Sequence, residues 1–502
     1  MSGGQAVERL RDYLRTLKPE ARAMLVAELE RSVLRGEESA GNELILQELR
    51  RAIRAEGQPQ ARMDNAARLF FAPVEPFLID DAPDHKRAGR LARVSLEPIW
   101  EWIGRDLVPA EAKALGDDIN RALLANDRVK AEQRTRALHD RAILRMRDAM
   151  ASVTGDDKGR RRLAVQVGTP RALEDLATLI GILANRDLLN ELARRLPNHL
   201  RTFERDQIDS VKLLLEAAIA QKTQSGANVA KTDVFLYGFV LIMGRLAAPW
   251  QLIRIATRAA ETDVAARIAE TPYARAVTIV LGEIECMVSD LRDELKAHRP
   301  VTSLLKNIHD AVRGVRTEID LSGDSPWSRQ LTAIRTEVSN VLRAEIEAAP
   351  GRVRRLLRPR PAKEIVPGSQ LDETDVGDAE MLVEFVGVCR SYAHELAVNE
   401  MTMRSFTELQ HYLENGTKVL LDALRQAGDA DRPFRQSQMD AAIRFCRCVF
   451  GADYAGLLAK GSRNCGSDHW FRPQIGTGLT GMRASIVRNC RAQGPIAAAL
   501  SP

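Results

Sequence analysis

A chain of 502 residues exceeds what one hydrophobic core usually serves, so roughly two to four domains or one extended helical array is expected. Hydrophobic residues at 45% leave ample apolar surface for a core, and aromatics at 5% favour aliphatic helix packing over a β-rich interior. The net charge of +5 is the balance of 73 basic and 68 acidic side chains, which excludes a global field for nucleic acid or membrane; the 60 arginines against 13 lysines read as a GC-rich bacterial coding bias.

The N-terminus, Met1-Ser2-Gly3-Gly4 and then a charged amphipathic stretch, lacks the apolar region of a signal peptide. The most apolar run, Val234 to Gly244, is 11 residues long, where a membrane span needs about 20. A cytoplasmic location follows as the expectation. Six cysteines without regular spacing do not form a disulfide framework, so reduced thiols are expected.

In chain order, residues 1–57 read as a small helical hairpin unit. Leu10, Tyr13, Leu14 and Leu17 form one stripe, Pro19 opens a second helix with Met24, Leu25, Leu29 and Leu34 that Gly36 ends, and Leu44, Leu46, Leu49 and Ile53 define a third before Gly57. The region 62–154 concentrates Phe70, Phe71, Phe77, Trp100 and Trp102 among Pro73, Pro76 and Pro98. Such a cluster suits either a pocket lining or a small domain's core. Its fragments Val74-Glu75-Pro76-Phe77 and Leu96-Glu97-Pro98-Ile99 predict two related turns into helices. A polar helix or hairpin then spans Ala110 to Met150, and Gly155-Asp156-Asp157-Lys158-Gly159 with Arg160, Arg161 and Arg162 reads as a linker.

Residues 165–349 read as a helical array ending in a three-helix bundle. Pairs of helices fill Pro170 to Ile268, with the Val234 run as their buried centre. From Pro272, with Thr271 as N-cap, Val277, Leu281, Ile284, Val288, Leu291 and Leu295 recur at 4-3-4-3-4 spacing, the seam of a helix facing a partner helix. Leu305, Ile308, Val312, Val315 and Ile319 continue it, as do Leu331, Ile334, Val338, Val341, Leu342 and Ile346, and the short links imply an antiparallel bundle. Residues 350–377 read as a linker. Its basic half carries Arg352, Arg354, Arg355, Arg358 and Arg360, and its acidic half Asp372, Glu373 and Asp375. Within 378–459 a long C-terminal helix carries Leu382, Phe385, Cys389, Tyr392, Leu396, Asn399, Met403, Phe406 and Leu413 to a stop at Asn415-Gly416, with Asn399 setting coiled-coil register. Two further helices cover Val419 to Arg425 and Met439 to Leu458. The tail 460–502, rich in Gly and without Glu, is either irregular or the product of a changed reading frame.

Motifs for chemistry are sparse. Cys446-Arg447-Cys448 with Cys465, His469 and Cys490 lacks the CxxC spacing that closes a tetrahedral zinc site. Glu408-Leu409-Gln410-His411 has the ExxH spacing of di-iron bundles, but without a second copy. His394-Glu395 starts like HExxH, and Val398 stands where the second ligand belongs. The expectation is an all-α, multi-helix array without cofactor or metal, acting non-catalytically as a scaffold or adaptor. It would bind a protein partner or itself through two seams, one from Val277 to Leu295 and one formed by Leu382, Phe385, Tyr392, Leu396, Asn399, Met403 and Phe406. The alternatives are an anion-responsive regulator that uses Arg352, Arg354, Arg355, Arg358 and Arg360 on nucleic acid or an anionic membrane, and a helical-bundle metalloprotein.

Overall fold

The computed structural model describes residues 3–37, 40–55, 63–80, 87–224, 231–297 and 299–464. Those residues are all-α, with 21 helices and one pair of two-residue strands. The chain divides into two compact units, Met1–Leu342 with Tyr392–Ala397, and Arg343–Ser391 with Val398–Pro502.

The first unit opens with α1 (Gly3–Thr16), α2 (Pro19–Leu34) and α3 (Ala40–Ala55). Leu14, Val26, Leu46, Leu49 and Ile53 close a small core, flanked by Leu10, Leu17, Leu25 and Leu29. Pro19 takes the first helical position and Gly36 follows α2 at φ +79°, as expected for a helix start and a turn beyond its end. The apolar stripes are narrower than the sequence pattern suggests. Tyr13 at 61% and Met24 at 74% exposure face outward, and Gly57 lies outside the described residues.

Asn65 caps α4 (Ala66–Phe71) by accepting from the Arg68 amide at 2.8 Å. A 3-10 turn leads into β1 (Leu78–Ile79), which pairs in parallel with β2 (Leu91–Ala92). Next come α5 (Leu96–Trp102), α6 (Pro109–Leu124) and α7 (Arg128–Ser152). Phe70, Phe77 and Trp102 are buried, and Phe70 meets Trp100 at 5.4 Å, so the aromatic cluster is core. Only the second of the two Glu-Pro fragments enters an α-helix; the first forms the 3-10 turn.

The expected linker near Gly155 shrinks to one turn. Asp156 accepts from the Lys158 amide and starts α8 (Asp157–Val167), which carries Arg160, Arg161 and Arg162 and buries Leu163 and Val167. Beyond it run α9 (Pro170–Ala184), α10 (Arg186–Arg195), α11 (Arg205–Gln224), α12 (Lys231–Met243), α13 (Ile253–Ala260) and α14 (Ala265–Ala269). Val234, Phe239, Val240 and Ile242 make α12 the buried centre that its unbroken apolar run implies. Gly181 is what admits α12 to α9, since a Cβ there would sit 2.3 Å from the Tyr237 hydroxyl.

The bundle follows as α15 (Ala274–Lys296), α16 (Thr302–Glu318) and α17 (Pro326–Leu357). Val277, Leu281, Ile284, Val288 and Leu291 are buried and Leu295 is half-buried, as are the matching positions of α16 and the first half of α17. Tyr273, not Thr271, is the N-cap of α15; the Thr271 hydroxyl instead donates to the Ile268 carbonyl at 2.8 Å, closing the turn before Pro272. Gln330 donates to Glu285 at 2.8 Å and Arg292 pairs with Glu337, tying α17 to α15.

Two readings of the second unit need correction. First, the linker does not begin at residue 350: α17 passes through Pro350 to Leu357, because Ile346, Ala349, Val353, Leu356 and Leu357 extend its buried stripe. That continued burial outweighs the hydrogen bond a mid-helix proline forfeits. The division between the units also falls within α17, at Leu342 and Arg343. Second, the run from Leu382 to Leu413 is two helices, α18 (Glu373–Leu396) and α19 (Asn399–Arg425), separated where Ala397 takes φ +56°. Helix α19 therefore restarts with its own phase. Its buried side runs through Thr402, Phe406, Leu409, Leu413, Thr417, Leu420 and Leu424, which leaves Asn399 exposed and Met403 at 53% exposure. Asn415-Gly416 does not stop it, and Val419 to Arg425 is its last part rather than a separate helix. The unit ends with α20 (Arg432–Phe450) and α21 (Ala452–Asn464), divided at Gly451, which adopts φ +93°. The tail from residue 465 lies outside the described residues.

Candidate functional site

A cleft of about 840 Å³ in the first unit lies between α7 and α10, floored by Leu69, Ala72 and Pro73 at the end of α4. Sequence positions its walls. Asp127 caps α7 by accepting from the Lys130 amide at 3.0 Å, and Ala131, Leu138, Ala142 and Met146 turn that helix's apolar side inward. Arg128, Glu132, Arg136 and His139 are thereby placed one turn apart along the cleft. Opposite, Asn185 ends α9 by donating to the Gly181 carbonyl at 2.7 Å, and Leu189 and Leu192 anchor α10. Arg186, Asn190 and Arg194, again one turn apart, face the same space.

The arginines are held in place by carboxylates. Arg128 pairs with Asp64 at 2.6 Å and Glu132 at 3.0 Å, Arg136 with Asp187 at 2.8 Å, Arg186 with Asp140 at 2.7 Å and Arg194 with Glu191 at 2.8 Å. Of these five carboxylates only Glu132 lines the cleft. Arg186 is the most enclosed of the four arginines, with its side chain 13% exposed. It donates to the Leu183 carbonyl at 3.1 Å, serving the open end of α9, while its Nε–H is buried without a partner.

His139 sits at the cleft base, 3% exposed, with its ring 4.7 Å from that of Phe70. Nε2 lies 2.7 Å from the Phe70 carbonyl at the end of α4. A carbonyl only accepts, so Nε2 carries the hydrogen and Nδ1 is the bare acceptor, enclosed with no partner. Burial pushes the imidazole pKa down to about 4, and the nearby Arg186 and Arg136 lower it further against the opposing Phe70 hydrogen bond. The ring is neutral at pH 7.

The residues singled out from the sequence occupy other places. Val277, Leu281, Ile284, Val288 and Leu291 are interior to the first unit and Leu295 is half-buried, so this seam is not a free surface. In the second unit Leu382 is half-buried, Phe385 is buried, and Phe406 lies under the Arg390 guanidinium at 4.3 Å. Leu396 is buried in the first unit, where Tyr392 stacks on His309 at 4.6 Å. The five arginines near residue 355 do not converge: Arg354 pairs with Glu408 at 2.6 Å, Arg352 stands 4.0 Å from Asp378, Arg360 covers the Phe434 ring at 5.0 Å, and Arg355 and Arg358 are exposed. Glu408 is thus engaged by an arginine. His394 stands 3.3 Å from Glu395. Cys446 is buried and Cys448 half-buried, with burial pushing both thiols up, to about 12 and about 11. Cys465, His469 and Cys490 lie outside the described residues, among which no group of three or more metal-ligating side chains occurs. No described helix is long and apolar enough to cross a membrane.

Sequence reading missed Arg128, Arg136, His139, Arg186 and Arg194. The signal was the one-turn spacing of polar residues on each helix, but nothing in either stretch says that the two faces meet across some fifty intervening residues. No protein-family model, curated protein or solved structure matches the chain.

Proposed function

We propose that the chain is a non-catalytic helical scaffold whose interaction site is the cleft between α7 and α10, and that the site captures an anionic group. The supporting observation is that Arg128, Arg136, Arg186 and Arg194, from two helices, face one cavity that only Glu132 counters from its lining. A volume of about 840 Å³ is in the range of small-ligand sites. Guanidinium groups suit anion recognition because their N–H donors form a planar fork. Their present ion pairs do not block the role, since Arg128, Arg136 and Arg194 are well exposed and exposed pairs contribute at most about 1 kcal/mol. The test is calorimetric titration of the whole chain with a panel of small anions, repeated on the double variant Arg136→Ala, Arg194→Ala. Saturable binding that the variant weakens supports the reading; binding of every anion unchanged in the variant, or of none, defeats it.

A second reading, a partner protein held by helix contacts, is favoured by Tyr13 and Met24, large apolar side chains exposed on the N-terminal helices. Light scattering after size exclusion tests its self-association form. A dimer that Tyr13→Ser, Met24→Ser converts to monomer supports it, and a monomeric parent refutes that form.

A further inference from the structure

We infer that the α7–α10 cleft takes a phosphate monoester or diphosphate of a small organic molecule, with the phosphate at the Arg136, Arg186 and His139 end and the organic body along Val129 and Pro73. The inference rests on the anion-capture reading and names its ligand class.

Three observations carry it. The first is the pair of unmatched buried atoms. Arg186 Nε–H is a donor without an acceptor and His139 Nδ1 an acceptor without a donor, and the two side chains line the same cleft, close enough for the Arg186 charge to act on His139. Buried polar atoms are normally matched. One group that both accepts and donates would match these two, and a phosphate carrying one proton does so; an ionised carboxylate offers acceptors only. The Asp140 side chain is 62% exposed, so water takes over that carboxylate when Arg186 turns its enclosed Nε–H toward a ligand oxygen.

The second is charge. Counting the arginines with every carboxylate paired to them, and Arg195, which shares Glu191, gives five positive charges (Arg128, Arg136, Arg186, Arg194, Arg195) against five negative (Asp64, Glu132, Asp140, Asp187, Glu191). A nucleic-acid polymer is drawn by net positive potential, which this surface does not supply. Directed hydrogen bonds to one or two phosphates need no such field. A ligand carboxylate would only replace the carboxylates already paired there.

The third is length. Arg128 and Arg136 on α7, like Arg186 and Arg194 on α10, are eight residues apart, about 12 Å along a helix. One phosphate cannot span that distance. Leu69, Pro73, Val129 and Ala193 line the same cleft, the last two beside Arg128 and Arg194, and supply apolar surface suited to an organic body.

The experiment is calorimetric titration of the full chain with pyrophosphate, ADP, citrate and a twenty-residue oligothymidylate, at low and moderate salt. Expected is saturable one-to-one binding of pyrophosphate or ADP, weakened about tenfold or more by Arg136→Ala and by His139→Gln, with the unfolding transition of the Arg136→Ala chain unchanged. His139→Gln keeps a donor for the Phe70 carbonyl while removing the Nδ1 acceptor, and Arg136→Ala alters an exposed side chain, so a folding defect in the first does not leave the idea untested. Tighter binding of ADP than pyrophosphate confirms the organic subsite. Citrate binding with the same sensitivity, in the absence of phosphate binding, overturns this inference and leaves anion capture standing. Binding of oligothymidylate alone, with steep salt dependence, overturns it in favour of a polymer. No binding at all removes both.

Discussion

Lowering the pH from 7 to 4 will destabilise the first unit through His139, and the structure sets the size of the effect. The imidazole has an ordinary pKa of 6.5 in the unfolded chain and about 4 when folded, because burial beside Phe70 penalises its charged form. The unfolded state therefore takes up a proton below pH 6.5 that the folded state refuses until pH 4. Stability is complete above 6.5, falls through the interval and stops falling, as far as this group is concerned, below about 4. At about 1.4 kcal/mol per pH unit the loss reaches about 2 kcal/mol by pH 5 and about 3 kcal/mol at the end of the window. Urea unfolding at pH 7, 6, 5 and 4.5, followed by tryptophan fluorescence because Trp100 and Trp102 lie in this region, measures it against His139→Gln. That variant offers an amide donor to the Phe70 carbonyl but binds no proton. It should start less stable than the parent at pH 7, and the gap should narrow by about 2 kcal/mol by pH 5. Parallel stability curves for the two proteins would refute the assignment of His139 as a neutral buried base.

The remaining expectations concern packing and caps. Gly314→Ala places a Cβ 2.2 Å from Cδ2 of the Trp250 ring, which cannot swing aside as a flexible chain end does, and should cost about 1–3 kcal/mol in denaturant unfolding. Gly282→Ala, in α15 with open space around it, should instead stabilise by about 1 kcal/mol through helix propensity, and an equal loss in both would show that the close approach is not the cause. Asp175 is fully buried and accepts from the Ala92 amide at 3.0 Å and the Ser95 hydroxyl at 2.8 Å; Asp175→Ala strands both donors and should cost about 3 kcal/mol or more, with Ala92 amide exchange rising faster than its neighbours'. In the second unit Gln438 donates to the carbonyls of Leu356 and Arg358 at 3.0 and 3.1 Å, closing the end of α17, so Gln438→Ala should lower that unit's unfolding free energy by about 2 kcal/mol in chemical denaturation.

How much of this was legible depends on how local the cause is. The seam from Val277 to Leu291 is a local pattern and could be read directly, but what covers it is not local: the residues expected to meet a partner are buried by the chain's own helices. The closed centre at Val234 to Met243 could also be read directly, since a stretch apolar on every side has nowhere else to go. Pro350 misled because a proline inside a helix is normally disfavoured; the burial of Val353 and Leu357 that overrides it is tertiary. The break at Ala397 was invisible for a related reason. Alanine favours helix and rarely takes positive φ, so nothing in its identity announces the left-handed turn; Asn399 and Met403, expected on the seam, lie off it, while Phe406 and Leu413 are buried in either phase. The cleft needed two polar faces to be brought together, and a face that reads as solvated in one dimension becomes a wall in three.

Helix α10 is ten residues long, shorter than a helix that persists by itself in water. It is fastened at both ends: Arg186 ties its start to the Leu183 carbonyl and to Asp140, and Arg245 donates to the Ala193 and Leu196 carbonyls at its close. Just beyond, Leu200 exchanges amide–carbonyl hydrogen bonds of 2.8 Å with Arg245 and Ala247. With Leu189 and Leu192 seated inside, the segment has no free end from which to unwind. Its amides should therefore exchange with solvent deuterium only as the whole first unit opens, far more slowly than a short helix at the rim of a cavity would suggest. The backbone of the cleft wall is then fixed before a ligand arrives, and only its side chains, Arg186 among them, are left to adjust.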